Sequence, residues 1–424
     1  MLPVGIAAAQ GLPARGFAAD VSSGLALSAL AMVLAQFVTS GRFERTTGRV
    51  GIDLTLQGHQ LAARFIGVVL LLHPLLYGLP GARSLGGAGS ALAGLFAAPR
   101  LATGVAAWAL LLALIAMAIL RDRLPWRYET WRLSHGMGAA LAAALGVHHA
   151  MTAGRFSADP WLAAVWVALL AVAVGSLLRV YLLTPLLQMR HPWRVVSVSP
   201  AGSRLWELVI EPAAAFVPKF AAGQFFWLTL NRSPFSITEH PFSAASAPAD
   251  LPRLKFLIKE SGDFTNSMGA LPVGARAYVD GPRGIFTLAG RTGAGIGLVA
   301  GGVGIAPILG VLRQLRAEHD PRPVRLLVGN RQPGQIVCAD ELGQIAAEAD
   351  FRVRQVLSEP PPGWSGGRGV LDRPQLEAVF DTPDRNRWIY FVCGPGPMMD
   401  AVERSLVSMG VPASQIVTER FRYH

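Results

Sequence analysis

Residues 53–77, DLTLQGHQLAARFIGVVLLLHPLLY, decide how this chain is read. The stretch is apolar and longer than the roughly 20 residues a helix needs to cross a bilayer. His59 lies near one end and His73 near the other. Their spacing of 14 residues corresponds to roughly 21 Å along a helix axis, and it brings them within about 40° of one face. A second helix, expected over Ser134–Met151, carries His135 near its start and His148 and His149 near its end. Side by side, two such helices present two imidazole pairs at two depths.

The apolar residues, 52% of the 424, crowd the first 190 positions. Five segments there predict bilayer-spanning helices: Val21–Val38, Leu54–Tyr77, Leu101–Leu120, Ser134–Met151 and Trp161–Leu183. The first 19 residues have neither the basic start nor the cleavage site of a secretory signal, and Pro3, Pro13 and Arg15 argue against a sixth full span. Cys338 and Cys393, the only cysteines, imply no disulfide framework and suit a reducing compartment.

Loop arginines orient the bundle. Arg42, Arg45 and Arg49 follow the first span, and Arg121, Arg123, Arg127 and Arg132 follow the third, so both loops are expected in the cytoplasm. Arg190 and Arg194 after the fifth span put the rest of the chain there too. His59 and His135 then share the inner level, and His73, His148 and His149 the outer. The net charge of +11 is accounted for by arginines near anionic lipid, and no nucleic-acid motif is present.

A single imidazole in a membrane helix often just hydrogen-bonds a neighbouring carbonyl. Two per helix at matched depths point instead to b-type haem, held axially by imidazoles from facing helices. Zinc would call for cysteine or carboxylate at that depth. Arg64 either meets a haem propionate or snorkels to the surface, and Trp126 and Trp131 are expected as interface anchors. At the outer level a spacing of 14 from His135 reaches His149, whereas a spacing of 13 reaches His148, which an ideal helix turns away.

Past Leu183 the pattern changes. From His191 to about Phe286, short alternating strands with Gly and Pro punctuation suit a small antiparallel barrel. HPFSAASAP (240–248), GDFTNSM (262–268) and DGPRG (280–284) sit between them. From Gly293 onward strands alternate with helices. IGLVAGGVGIAP is a buried strand running through a glycine turn into a helix, the usual setting for a pyrophosphate at a helix N-terminus. Its turn departs from G-x-G-x-x-G. IYFVCGPGPMM (389–399) is a further buried strand.

These motifs, with the WRLSH lead-in at 131–135, resemble the ferric reductase and NADPH oxidase superfamily, whose soluble half is of the ferredoxin-NADP reductase type. The resemblance implies a membrane α-helical bundle holding two b-type haems (residues 1–189), an antiparallel β-barrel FAD domain (190–290) and an α/β NADP-binding domain (291–424). It implies haem ligation by His59, His73, His135 and, by its spacing of 13, His148. It assigns His240, Pro241, Phe242 and Ser243 to the flavin, and Lys259 and Thr265 to its pyrophosphate. NADPH falls to Gly301, Gly302, Val303, Gly304, Gly394 and Pro395, with Arg331 for a 2′-phosphate. Cys393 is implied near the nicotinamide, and Phe421, with Tyr423 as runner-up, over the flavin ring.

The implied function is transmembrane electron transfer in a multi-pass protein of a bacterial-type plasma membrane. Hydride from NADPH arrives as two electrons, FAD divides them, and the haems pass them singly to oxygen or ferric iron outside. Tyr77 stands where the oxidases tend to carry a further histidine, a departure that weakens the case for oxygen. A membrane-anchored NAD(P)H:flavin reductase serving a soluble acceptor, and a haem-bearing scaffold without turnover, are the alternatives.

Overall fold

The computed structural model describes residues 2–39, 51–78, 87–213, 217–348 and 350–420. Arg42, Arg45, Arg49, Phe421 and Tyr423 fall outside them. The chain divides into two compact units near residue 184, with residues 51–53 belonging to the second.

The first unit is helical: α1 (Leu2–Ala9), α2 (Phe17–Ala35), α3 (Ile52–Gly78), α4 (Ala88–Ala97), α5 (Ala102–Ile119), α6 (Tyr128–Thr152) and α7 (Pro160–Leu178). Four helical stretches, Phe17–Ala35, Ile52–Tyr77, Pro99–Ile119 and Pro160–Arg190, are long and apolar enough to cross a membrane. The remaining expected span, α6, has 25 residues but is diluted by Glu129, Arg132 and three histidines. Helix α4 lies between the second and third expected spans. Asp159 starts α7 by accepting a 2.8 Å hydrogen bond from the Leu162 amide, and Pro160 follows at the first helical position, where no N–H is needed. Leu34, Ala143, Val147, Leu162 and Trp166 form the core shared by α2, α6 and α7.

The second unit begins with α8 (Thr184–Arg190) and a six-stranded antiparallel sheet: β1 (Trp193–Gly202), β2 (Leu205–Pro212), β3 (Phe225–Leu230), β4 (His240–Ser243), β5 (Leu254–Lys259) and β6 (Arg276–Arg283), in the order β4-β3-β6-β1-β2-β5. The expected barrel takes the form of a curled sheet, with Ala244, just past one end strand, bridging to Phe256 of the other. A one-turn helix, α9 (Asp263–Asn266), lies between β5 and β6.

A second, wholly parallel sheet follows, with β7 (Ile296–Gly301), β8 (Val324–Asn330), β9 (Phe351–Leu357), β10 (Gly367–Arg368), β11 (Ile389–Cys393) and β12 (Ile416–Thr418) in the order β10-β9-β8-β7-β11-β12. Helices α10 (Ile305–Ala317), α11 (Ala339–Ala346), α12 (Arg373–Phe380) and α13 (Gly396–Ser408) accompany it. The central strands are buried end to end, as a sheet covered on both faces requires. The chain runs outward from β7 to β10, then returns to lay β11 on the opposite side of β7. The resulting switch point opens a crevice at the carboxyl ends of β7 and β11, where ligands of open α/β sheets bind.

Candidate functional site: two imidazole pairs and a dinucleotide crevice

In the helical unit, every seventh residue of α3 builds one face: His59, Ile66 and His73, with Ile66 only 3% exposed. Leu61, Phe65, Val68, Leu72 and Leu75 form an exposed stripe at helical spacing elsewhere on the helix, as lipid contact requires. On α6 the same period gives His135, Ala142 and His149, and Ala142 is fully buried. His135 lies within electrostatic reach of His59, and His149 within reach of His73.

At the outer level the geometry departs from the expected His148. Helix α6 runs from Tyr128 to Thr152 with no π-bulge, so a spacing of 13 cannot restore the phase of His135. His148 follows Leu141, which is 55% exposed, and its Nδ1 is 3.3 Å from the Thr103 hydroxyl. His149 packs against α5, where a Cβ added to Gly104 would come within 2.6 Å of its ring. On the regular helix His149 is thus in phase with His135, and His148 lies about 140° round from it.

His59, His135 and His149 each bury an Nδ1 with no hydrogen-bond partner among the described residues. Such nitrogens are costly unless something else engages the ring. Among the described residues no cluster of three or more His, Cys, Asp or Glu could hold a bare metal ion. A porphyrin iron needs only two side-chain ligands, and α3 does not pack closely along α6, so the donor set fits haem. Trp131 stacks on His135 at 5.3 Å and 12°, and Arg121 lies 4.8 Å from the Trp131 ring.

In the second unit, β3 pairs with β4 so that Phe225 faces Ser243 and Leu228 faces His240. His240 stacks on Phe264 at 4.0 Å, and Phe242 flanks the same ring at 6.2 Å. HPFS and GDFTN, separated in sequence, thus share one aromatic cluster. Thr265 accepts from the amides of Ser261 and Gly262, closing the turn at α9, and Lys259 stands exposed at the end of β5. Arg283 pairs with Asp280 at 2.8 Å, and Gly281, with φ of 155°, leaves room for Phe226, whose ring would sit 2.6 Å from a Cβ there.

The parallel sheet joins the two nucleotide motifs. Cys393 is level with Ala300 across β11 and β7. A Cβ on Gly304 would stand 2.3 Å from the Cys393 carbonyl oxygen, and one on Gly394 would stand 3.1 Å from the Gly301 backbone. The glycines of GGVG and CGP are thus needed for two backbone turns to touch. Val303 is partly exposed above them, and Pro395 caps α13. Burial raises the Cys393 thiol far above its usual range, so it is a neutral group. Arg331 follows β8 and is held by Glu359, 2.6 Å away at the end of β9. That hydrogen bond keeps the Glu359 carboxyl below its ordinary range.

Three residues here carried no sequence signal. Gly310 lets α10 approach the loop after β4, since a Cβ would lie 2.8 Å from the Ala244 carbonyl oxygen. Arg313, one turn on, donates to the Ala245 carbonyl at 2.7 Å and pairs with Glu341 at 2.6 Å. Glu419 is 3% exposed, and burial, reinforced by the Asp53 carboxylate, raises its pKa to about 8.

Residues 25–146 match the ferric reductase like transmembrane component, and residues 298–404 match the oxidoreductase NAD-binding domain. The chain is 32% identical over 167 residues to NADH-cytochrome b5 reductase 1 of Ajellomyces capsulatus, covering 37% of this chain and 53% of that protein. It is 33% identical over 201 residues to the NADPH nitrate reductase of Fusarium oxysporum, covering 42% of this chain and 22% of that one. The chain spans about half the length of the cytochrome b5 reductases it matches. The flavohemoglobin of Malassezia yamatoensis, solved with FAD and heme bound, superposes with a TM-score of 0.51 at 19% identity over 85% of this chain and 96% of its own, a likeness of fold.

Proposed function

We propose, from the premise that this NAD(P)H oxidoreductase joins a ferric-reductase-like transmembrane domain to an FAD/NAD-binding domain as the ferric reductase and NADPH oxidase superfamily does, that it moves electrons across a membrane. The donor is NADPH on the cytoplasmic side, and the acceptor outside is oxygen or ferric iron. The observation that carries this reading is the doubled imidazole pairing on α3 and α6, His59 with His135 and His73 with His149.

When bound, FAD converts a two-electron donor into single electrons, and bis-imidazole haems relay them without an open coordination site. The chain's own residues bind, orient and insulate. The Gly301–Gly304 turn and Gly394–Pro395 shape a crevice in which backbone can approach a dinucleotide closely. The Cys393 thiol, neutral and buried in the core beside that turn, adds no charge to it. Arg331 supplies the cation for a 2′-phosphate, which would have to compete with Glu359 for it. The aromatic cluster of His240, Phe242 and Phe264 suits a flavin, and Ser243, Lys259 and the turn that Thr265 closes suit its pyrophosphate. The four imidazoles supply neutral nitrogen ligands, and the lipid-facing stripe of α3 keeps water from them.

Anaerobic addition of NADPH to purified full-length protein tests the reading. Growth of reduced b-type haem bands, followed by their reoxidation with oxygen or chelated ferric iron, is the expected result. Superoxide scored by dismutase sensitivity then separates the two acceptors. A protein with flavin but no Soret band would overturn the transmembrane relay in favour of an anchored reductase, the activity borne by the cytochrome b5 reductases it resembles.

A further inference from the structure

The outer imidazole of α3 is held by braces that no described residue gives its inner counterpart. Pro74 lies inside the helix immediately after His73. Proline has no N–H, so the carbonyl four residues back, at Leu70, loses its helical donor. The Trp108 indole N–H of α5 takes that place at 2.7 Å. Helix α2 supplies the second brace. Ser22 is fully buried, and its hydroxyl donates to the His73 carbonyl at 2.9 Å.

The same serine fixes the ring. His73 Nδ1 lies 3.1 Å from the Ser22 carbonyl oxygen, which can only accept, so Nδ1 must carry the hydrogen. The Ser22 hydroxyl has spent its one proton on the His73 carbonyl, and its oxygen, 2.8 Å from Nδ1, accepts as well. A neutral imidazole with hydrogen on Nδ1 has a bare lone pair on Nε2, the form a metal requires. Ser23, next in the chain, only bonds back to Ala19 of its own helix at 2.9 Å. At the inner level the Gln36 amide reaches the His59 carbonyl at 3.0 Å, and the His59 Nδ1 has no partner among the described residues.

We propose that Ser22 is a positioning residue for the outer haem, setting the tautomer and ring angle of His73 and strengthening it as a donor, a role that no described residue plays for His59 at the inner haem. This rests on the bis-imidazole reading above. An acceptor on Nδ1–H increases ligand basicity and so favours the oxidised iron. Ser22→Ala removes one of the two acceptors and the brace on the His73 carbonyl.

The test is redox potentiometry and low-temperature EPR of full-length haem-loaded protein, with the outer haem identified as the one lost in His73→Ala. Ser22→Ala is expected to raise the midpoint potential of that haem and shift its low-spin EPR signal, leaving the inner haem in place. Ser22→Thr, which keeps the hydroxyl, is expected to restore both, and Ser23→Ala to change neither. Unchanged outer potential and EPR in Ser22→Ala overturn the proposal, as does an equal shift of both haems. Should Ser22→Ala fail to assemble, Ser22→Thr decides: wild-type signals sustain the role of the hydroxyl, and displacement of both haems refutes it. Wild-type protein without a bis-imidazole signature would refute the parent reading instead.

Discussion

The helical unit and the reductase unit build their sites by opposite means. In the first, candidate ligands are brought together by one period: His59, Ile66 and His73 on α3, and His135, Ala142 and His149 on α6, all repeat every seven residues. In the second, no period links the partners. Gly304 meets Cys393 and His240 meets Phe264 only because strands pair and turns pack. A site made by periodicity should fail one group at a time, whereas one made by close backbone packing should fail as a whole.

The sharpest way to break this contrast is at the outer imidazoles. His73→Ala and His149→Ala are each expected to remove one haem per chain by the pyridine haemochromogen assay and leave the other. His148→Ala is expected to remove none. The reverse result for His148 and His149 would mean that α6 changes its phase when loaded.

Next in size is Gly304→Ala. The new methyl would sit 2.3 Å from a backbone carbonyl oxygen that cannot swing away. The expected cost is about 1–3 kcal/mol of overpacking. Stopped-flow flavin reduction by NADPH should slow more than tenfold, while dithionite still reduces the protein. A variant with normal hydride transfer would show that the two turns do not need to touch.

A smaller effect is expected from Glu419. Its folded pKa, about 8, lies above the ordinary 4.5, so the folded state holds a proton that the unfolded state gives up earlier. Its contribution to stability is complete below about pH 4.5 and is lost as the pH rises through about 8. Thermal unfolding of full-length protein, followed by flavin release, should therefore show the midpoint falling across that window. Glu419→Gln should flatten the slope. An unchanged slope would place the titration elsewhere.

The mildest prediction concerns Arg331 and Glu359, both exposed. Arg331→Ala should raise the KM for NADPH several-fold and leave that for NADH nearly unchanged. Glu359→Gln should lower the KM for NADPH by freeing the guanidinium. Equal effects on both nucleotides would assign the pair to the surface alone.

Much of this was legible in the sequence because helix geometry is local. The spacing of His59 and His73 already placed them on one face, and the same arithmetic gives His149 as the partner of His135; the resemblance, with its spacing of 13, pointed to His148. The unbroken backbone of α6 keeps His149 in phase with His135. The stack of Trp131 on His135 left no mark of its own, because an aromatic residue near a helix end suits a membrane interface and a stacked ring alike. Glycine turns and buried strands announced a dinucleotide fold, since close backbone approach and two-sided burial leave compositional marks.

By itself the sequence determined which helices could enter a membrane, how their histidines were phased, and that a mixed β and α/β reductase follows, because hydrophobic periods and turn residues act over a few positions. Only the tertiary structure decided that Ser22 holds His73, that Trp108 satisfies the carbonyl orphaned by Pro74, and that Arg313 ties α10 to the loop after β4. Each of those joins residues 38 to 68 positions apart. A hydrogen-bond donor finds such a partner through packing in three dimensions, and nothing in the local pattern of either segment records it.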